Sequence, residues 1–313
     1  MRRPVIVTLA GLLLALSLTA CGSDDDAPAA SGDQTTTTAG SDFPVTLSSP
    51  AGEITLASAP QAIVSLSPTA TESLFAIGAG DQVKAVDVNS NFPAEAPKGD
   101  LDSYEPNLEA IAAKDPDLVI ITDDTHDLVK GLTALDIPVL SQPAPTDLDG
   151  VYDEIEQLGR ATGHAAEAER VAADMRDGIE EVVCGADVEG LTYYYELDNL
   201  LYSQTSKTFL GGVLGRLGLG NIADGAGGAS DYPQLSAEHI LKADPDLILL
   251  ADTKCCQQSA ATLKARPGWA GLKAIGTGGV VEIDDDIASR WGPRLVELVE
   301  QVAAAAHEVA ATR

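Results

Sequence analysis

The feature that most limits how this chain can fold is a pattern that occurs twice. Residues 107–123 read NLEAIAAKDPDLVIITD, and residues 236–252 read SAEHILKADPDLILLAD. Each copy combines a capping residue, Asn107 or Ser236, a helical pattern, an Asp-Pro-Asp turn that stops the helix, and a buried apolar strand. Such units are common in α/β proteins, so convergence is the alternative to a true repeat. A true repeat predicts two similar lobes with one copy in each.

Short apolar strands alternate with helical patterns around both copies. In the first half we predict strands at 62–67, 82–88, 118–122 and 138–141, and helices at 69–78, 108–114 and 128–135. In the second half we predict strands at 191–197, 247–251 and 280–283, and helices at 208–217, 261–275 and 293–311. This alternation is typical of an α/β fold with mostly parallel sheets covered on both faces.

A long helical stretch, Leu148 to Val183, separates the two halves and has a break near Gly163-His164. Its second part, about twenty residues long, would span ~30 Å, which is enough to bridge two lobes. The chain after residue 45 also exceeds what a single hydrophobic core usually holds. Two lobes joined by one long α-helix are therefore the expected architecture.

The N-terminus has the pattern of an export signal, because Arg2 and Arg3 precede an apolar run from Val5 to Leu18. The run ends in Leu-Thr-Ala-Cys21, which resembles the bacterial lipobox and implies cleavage before Cys21 and lipidation of its sulfur. An uncleaved membrane anchor is the alternative. We expect an exported protein held at the outer face of the cell membrane through lipidated Cys21.

The predicted organisation has five parts. The segment after Cys21 is rich in Ser, Asp, Ala, Gly and Thr and lacks apolar periodicity, which is typical of a disordered tether. The parts are a signal peptide at 1–20, the tether at 21–45, an N-terminal lobe at 46–147, a helical connection at 148–184 that includes the inter-lobe helix, and a C-terminal lobe at 185–313.

Charge and motifs exclude several functional classes. The formal net charge is −29, whereas binding to nucleic acid requires clustered Lys and Arg, so the partner should present positive charge. The sequence has no GxSxG, HExxH or GxxxxGK[ST] motif. The glycines from Gly211 to Gly220 lie within and after a helical pattern, so we interpret them as a helix end. Four histidines are few for direct capture of a free metal ion. We predict no catalytic residues, no metal site and no cofactor, although a ligand could itself carry iron or cobalt.

Three cysteines follow Cys21: Cys184 and the adjacent pair Cys255 and Cys256. Pairing of adjacent cysteines closes a strained ring, so a disulfide between Cys184 and either Cys255 or Cys256 is the favoured arrangement. The alternative, a metal site of three thiolates, lacks the usual CxxC spacing.

Four segments together resemble a known family. They are IVSLSPTATESLFAIGAGDQVKAVDVNSNFP, EPNLEAIAAKDPDLVI, SAEHILKADPDLILL and ASRWGPRLVELVEQVA. In this order they resemble the periplasmic substrate-binding proteins for cobalamin, haem and iron-siderophores, over nearly all of residues 60 to 311. The resemblance implies two Rossmann-like lobes, mostly parallel sheets, one long connecting helix and a ligand in the cleft between the lobes, which is the class III periplasmic binding protein fold.

The resemblance also implies roles for particular residues. Glu109 and Glu238 match the glutamates that dock onto the permease, one in each lobe, although an acidic residue in a first helical turn is also stabilised by the helix dipole alone. Its implied ligand contacts are Asn89, Tyr104, Glu196, Tyr202, Tyr232, Asp286, Arg290 and Trp291. Asn89 and Glu196 stand where the cobalamin binder has aromatics. Aromatic side chains suit a large planar or chelate ligand.

Two of these interpretations have structural alternatives. Tyr193, Tyr194 and Tyr195 are more typical of an ordinary strand than of a cleft, at least for two of the three. Arg290 could pair with a neighbouring aspartate, Asp284, Asp285 or Asp286, as a surface ion pair.

The sequence favours a monomeric substrate-binding lipoprotein of an ABC importer, which captures an iron-siderophore, haem or corrinoid and delivers it to a membrane permease without chemical change. An exported enzyme that acts on such a ligand is one alternative, and a ligand sensor for a membrane receptor is another.

Overall fold

The computed structural model of the chain describes residues 43–226 and 228–312. This part begins with an antiparallel hairpin of β1 (Val45–Ser49) and β2 (Gly52–Leu56), which the sequence patterns did not predict. The predicted signal peptide, Cys21 and the tether up to residue 42 lie outside the described residues. At the end of the tether range, Phe43 packs against the core and Val45 is the first residue of β1.

The first lobe contains a four-stranded parallel sheet. Its elements are β3 (Ile63–Leu66), α1 (Pro68–Ala76), β4 (Val83–Val86), α2 (Leu108–Ala112), β5 (Leu118–Ile121), α3 (Leu128–Thr133) and β6 (Val139–Ser141). The strand order is β4-β3-β5-β6. Short 3-10 turns lie at Gly80–Gln82 and Thr125–Asp127. These strands and helices confirm the βα alternation predicted for the first half.

Two helices that pack against each other connect the lobes, α4 (Leu148–Thr162) and α5 (Ala165–Gly185). Gly163 ends α4 with a φ of 80°, a left-handed conformation that favours glycine. The break between α4 and α5 therefore lies at Gly163-His164, as predicted from the sequence. With 21 residues, α5 is about 32 Å long.

The second lobe also contains a four-stranded parallel sheet. Its elements are β7 (Thr192–Glu196), α6 (Phe209–Gly215), β8 (Gly220–Asn221), α7 (Ala237–Ala243), β9 (Leu247–Leu250), α8 (Ala260–Ala265), α9 (Lys273–Thr277), β10 (Val280–Glu282), α10 (Asp285–Ala288) and α11 (Leu295–Ala310). The strand order is β10-β9-β7-β8. Short 3-10 turns lie at Ile222–Gly225 and Trp269–Gly271.

One predicted helix of this lobe is wrong. The sequence predicted a continuous helix at 261–275, but the chain forms α8 and α9 with an interruption between them. Pro267 cannot continue a helix, and Gly268 has a φ of 83°. The helical spacing of apolar residues continues across the turn at Pro267 and Gly268, and this is why the sequence pattern predicted one helix where there are two.

The internal repeat is visible in the backbone. The turn after α2 contains Asp115 at a φ of 52°, and the turn after α7 contains Asp244 at a φ of 47°. Two residues later, the carboxylate of Asp117 accepts hydrogen bonds of 2.7 and 2.9 Å from backbone N–H groups before β3. Asp246 accepts an equivalent bond of 2.9 Å at the start of β7. Each copy thus ties its own strand to the neighbouring strand of its sheet by the same contact.

A shared core joins the two lobes. Each sheet has apolar side chains on both faces. One face of each sheet belongs to a single apolar cluster that also includes side chains of α1, α4, α5, α6 and α11. Tyr193 and Tyr195 point into this core, whereas Tyr194 packs on the outer face of its sheet. All three tyrosines are fully buried, which confirms that they are ordinary strand residues. Within the part of the chain that the structure describes, no helix is both long and apolar enough to span a bilayer.

Candidate functional site

A cavity of about 400 Å³ lies where the first lobe meets the segment that follows β10. Residues just past the ends of β3 and β5 form one wall, and residues 286–291 of the second lobe form the other. The carboxyl ends of parallel strands are a common place for ligand binding in open α/β sheets. The lining residues are Leu66, Ser67, Pro68, Thr69, Asn89, Ser103, Tyr104, Ile121, Thr122, Asp123, Thr125, Leu128, Asp286, Ser289, Arg290 and Trp291.

The structure brings together five of the eight side chains that the resemblance assigned to ligand binding. Asn89, Tyr104, Asp286, Arg290 and Trp291 all line this cavity. Tyr104 stands at its rim with 73% of the residue exposed, and it is therefore available for an apolar contact with a ligand.

Arg290 is buried between the lobes and is bound by several acceptors. Its Nη1 donates to Glu72 Oε1 at 2.5 Å, and its Nη2 donates to the Asn89 carbonyl oxygen at 2.7 Å. Nη2 also reaches Asn91 Oδ1 and Asp286 Oδ1, each at 3.0 Å. The surface ion pair considered from the sequence is thus a buried network, although Asp286 is one of the partners.

Glu72 is the centre of this network. It lies on α1 with 3% of the residue exposed, and it accepts hydrogen bonds from Arg294 as well as Arg290. Arg294 Nε is 2.9 Å from Glu72 Oε2, and its guanidinium stacks 4.1 Å from the ring centroid of Phe92. A single carboxylate of the first lobe therefore holds two arginines of the second.

Asp286 remains ionised at the edge of the cavity. Burial acts to raise its pKa, but hydrogen bonds from Lys254 and Asn91 and the charge of Arg290 outweigh that effect and lower the pKa. Lys254 Nζ lies 2.6 Å from Asp286 Oδ2 and 2.5 Å from Asp284 Oδ1.

Trp291 is positioned by a glutamate of the connecting helices. Its Nε1 donates to Glu154 Oε2 at 2.9 Å. Burial raises the pKa of Glu154 to about 7, and the bond from Trp291 offsets only part of this rise. The indole that lines the cavity is thus in contact with a group that titrates near neutral pH.

The other three predicted contacts lie elsewhere. Tyr202 and Tyr232 are on the surface of the second lobe, 39% and 55% exposed, and do not line the cavity. Glu196 is fully buried, and Arg266 donates to its two carboxylate oxygens at 2.7 and 2.5 Å. The Glu196 side chain therefore forms a structural ion pair in this structure, away from the cavity.

A buried carboxylate, Asp252, lies beside Glu196 in the second lobe. Neither of its carboxylate oxygens has a hydrogen-bond partner among the described residues. Burial, and then the negative charge of Glu196, raises its pKa to about 7. In the repeat, Asp252 corresponds to Asp123, which is exposed and lines the cavity. The last aspartate of the repeat is thus buried in the second lobe and exposed to the cavity in the first.

Glu109 and Glu238 occupy the first turns of α2 and α7. Both are exposed, and neither side chain has a hydrogen-bond or ion-pair partner among residues 43–226 and 228–312. Asn107 and Ser236 cap the two helices, as the sequence predicted, by accepting bonds from the backbone N–H of Ala110 and His239. The two glutamates are therefore free for an external contact.

The cysteines within the described residues are all free thiols. The structure therefore lacks the predicted disulfide between Cys184 and Cys255 or Cys256. Cys184 is an exposed residue at the C-terminal end of α5. The sulfur atoms of Cys255 and Cys256 lie 2.7 Å from each other. Among residues 43–226 and 228–312, no cluster of His, Cys, Asp and Glu has a geometry suited to a metal ion.

Several cavity residues were missed from the sequence. Ser67 directly follows β3 and Thr69 lies in the first turn of α1, whereas Thr122 and Asp123 directly follow β5. The rule that ligands bind beyond the carboxyl ends of parallel strands would have identified them. Glu72 and Glu154 had no such signal, because each lies within a helical pattern.

A family model described as periplasmic binding protein matches residues 63–287. An uncharacterized ABC transporter substrate-binding lipoprotein of Bacillus subtilis, YvrC, is 29% identical to the chain, with 97% of each chain covered. The cobalamin-binding protein of Halobacterium salinarum is 31% identical, over 81% of this chain and 71% of the relative.

Solved structures with the same architecture include two periplasmic proteins. The vitamin B12 binding protein BtuF of Vibrio cholerae superposes with a TM-score of 0.66 at 26% identity, over 80% of this chain and 98% of that one. The heme-binding protein RhuT of Roseiflexus has a TM-score of 0.70 at 24% identity, over 80% and 99% of the two chains.

Proposed function

Because the chain belongs to the periplasmic binding protein family, we propose that it is the substrate-binding protein of an ABC importer. It captures an iron-siderophore, haem or corrinoid and delivers the ligand to a membrane permease. The observation that carries this proposal is the inter-lobe cavity, which joins the strand ends of one lobe to Asp286, Arg290 and Trp291 of the other. A ligand there contacts both lobes at once.

The ligand class rests on relatives and on the lining. Both the Halobacterium relative and the Vibrio structure carry names that specify cobalamin or vitamin B12. The cavity offers flat aromatic surface from Tyr104 and Trp291 together with many hydroxyl groups. Its volume of about 400 Å³ lies within the range of small-molecule sites. These features suit a large ligand with an apolar face and polar edges.

Binding without chemistry is the proposed outcome. The hydroxyl groups of the cavity come from Ser67, Thr69, Ser103, Tyr104, Thr122, Thr125 and Ser289. Nucleophilic catalysis by a hydroxyl requires a general base within hydrogen-bond reach. The described residues that line the cavity include no histidine or lysine, and neither of its carboxylates accepts a bond from one of these hydroxyls: Asp123 has no partner, and Asp286 is bound by Asn91, Lys254 and Arg290. These hydroxyls are therefore better suited to hold a ligand than to attack it.

Glu109 and Glu238 are the proposed permease contacts. Each is an exposed, unpaired carboxylate in the first turn of a repeat helix, one in each lobe. Two equivalent acidic contacts suit a partner with approximate two-fold symmetry and positive charge. Lipidation of Cys21 is the proposed means of keeping the protein near that partner.

Ligand binding is tested by tryptophan fluorescence with cyanocobalamin, haem and ferric siderophores. Trp291 lines the cavity, whereas Trp269 is buried in the second lobe, 2% exposed. We expect at least one ligand to quench the emission, Trp291→Phe to abolish the quenching, and Trp269→Phe to retain it. Mass spectrometry of the recovered ligand should show no modification. A modified ligand would favour an exported enzyme, and no quenching with any ligand would count against the proposal.

A further inference from the structure

The cavity lining carries more negative than positive side chains. Its lining contains one cationic side chain, Arg290, and two carboxylates, Asp123 and Asp286. A carboxylate or phenolate on a ligand would need a cation or several N–H donors in this space. The question is whether Arg290 is available for that role.

Arg290 is already engaged. A guanidinium donates through Nε and two Nη groups, and both Nη groups of Arg290 are in use: Nη1 donates to Glu72, and Nη2 donates to the Asn89 carbonyl, Asn91 and Asp286, at 2.5 to 3.0 Å. Only 5% of its side chain is exposed. An anionic ligand could bind Arg290 only by replacing one of these acceptors, and replacing the buried Glu72 would cost that carboxylate one of its two arginine partners.

The neighbouring cations are engaged as well. Arg294 binds Glu72 at 2.9 Å, and Lys254 bridges Asp284 and Asp286. Neither of them lines the cavity. The carboxylates that Arg294 and Lys254 contact largely cancel the effect of these two cations on the electrostatic potential in the cavity.

Asp123, in contrast, has no partner. It follows β5, is exposed to the cavity, and has no hydrogen-bond or ion-pair partner for its carboxylate among the described residues. Asp286 is ionised, because its pKa is lowered. The uncommitted charge of the cavity is therefore negative.

We propose that the cavity selects a neutral or positively charged ligand and rejects anions. This inference rests on the proposed function, since it specifies the ligand class of the same site. Neutral corrinoids and neutral or cationic hydroxamate complexes of iron satisfy it. Iron complexes of catecholates and the propionates of haem place negative charge beside Asp123 and Asp286 and do not satisfy it.

The test is a titration of the purified protein with four probes: cyanocobalamin, the cationic ferrioxamine B, the anionic ferric enterobactin, and haem. We expect the neutral or the cationic probe to bind, and both anionic probes to bind at least about tenfold more weakly, which corresponds to 1.4 kcal/mol. Tightest binding of ferric enterobactin or haem would overturn this inference and leave the proposed function intact. No binding of any probe would overturn both.

Asp123→Asn provides a second readout. Removal of this charge should lower the affinity for the cationic probe, relative to that for the neutral probe, by about three- to tenfold. Added salt should reduce this difference in affinity. The matched control is Asp136→Asn, because Asp136 is exposed, lies outside the cavity and has a φ of 59° that asparagine tolerates. Stronger binding of an anionic probe by Asp123→Asn supports the inference. Equal effects of the two substitutions would contradict it.

Discussion

Glu72 and Arg290 form an ion pair across the two lobes, with 2.5 Å between Oε1 and Nη1 and side chains that are 2% and 5% exposed. The pair is 218 residues apart in the sequence. It joins α1 of the first lobe to the segment that precedes α11, and Arg290 also lines the cavity. We expect the stability of the protein to depend on this contact.

Replacing Glu72 should therefore destabilise the protein strongly. Glu72→Gln removes the charge that compensates Arg290 and Arg294, and loss of one partner of a buried pair typically costs about 3–5 kcal/mol. Urea unfolding followed by circular dichroism measures the change in the free energy of unfolding. The control is Lys114→Ala, which breaks the exposed pair with Asp100 and should cost about 1 kcal/mol or less. Similar costs for the two substitutions would show that the buried network is not a major source of stability.

Stability should also depend on the protonation of Asp252. Its pKa is raised from 3.8 to about 7 in the folded protein, so the folded state holds this proton more tightly than the unfolded state. The contribution is complete below about pH 4 and is lost as the pH rises towards 7, by up to about 1.4 kcal/mol per pH unit. Unfolding at several pH values should show this decline in the wild type relative to Asp252→Asn. A difference that stays constant or grows with pH would contradict the assignment.

The fluorescence of Trp291 should titrate near neutral pH. The pKa of Glu154 is about 7, and its carboxylate accepts the indole N–H bond, so ionisation changes the charge beside the chromophore. We expect a transition in the emission of the ligand-free protein with a midpoint near pH 7. It should be absent in Glu154→Gln and retained in Glu156→Gln, a neighbouring substitution on the same helix. A transition that survives Glu154→Gln would assign it to another group.

Uptake should require the glutamates of both repeat helices. Replacing Glu109 and Glu238 with alanine should leave ligand affinity within about twofold, because neither lines the cavity, but should reduce permease-dependent uptake by about tenfold or more. Glu167→Ala is the control, since Glu167 is an exposed residue in the first turn of α5. Uptake in vesicles or in cells, with binding measured in parallel, separates the two effects. Lost ligand affinity in the double variant would place these residues in ligand binding.

The sequence predicted much of this architecture because its signals are local. Apolar runs such as LVII and LILL form β5 and β9 as expected, and Gly163 marked the break between α4 and α5. Helices α2 and α7 were located by their caps and by the repeat. Such features require only neighbouring residues, so a single sequence shows them.

The parts that escaped prediction depend on distant residues. Glu196 is bound by Arg266, 70 positions away, and nothing near Glu196 in the sequence distinguishes a ligand contact from a buried ion pair. The same holds for Glu72, whose partners lie near the other end of the chain. The signal peptide and the lipidation of Cys21 remain predictions.

The common helical layer between the sheets has a consequence for attempts to divide the protein. Either half expressed alone would expose the apolar surfaces of α4, α5 and α11 that the other half normally covers, and such fragments are prone to aggregate. Heating or denaturant should accordingly unfold residues 43–312 in one cooperative step, since a single apolar cluster of the described residues includes side chains from both lobes.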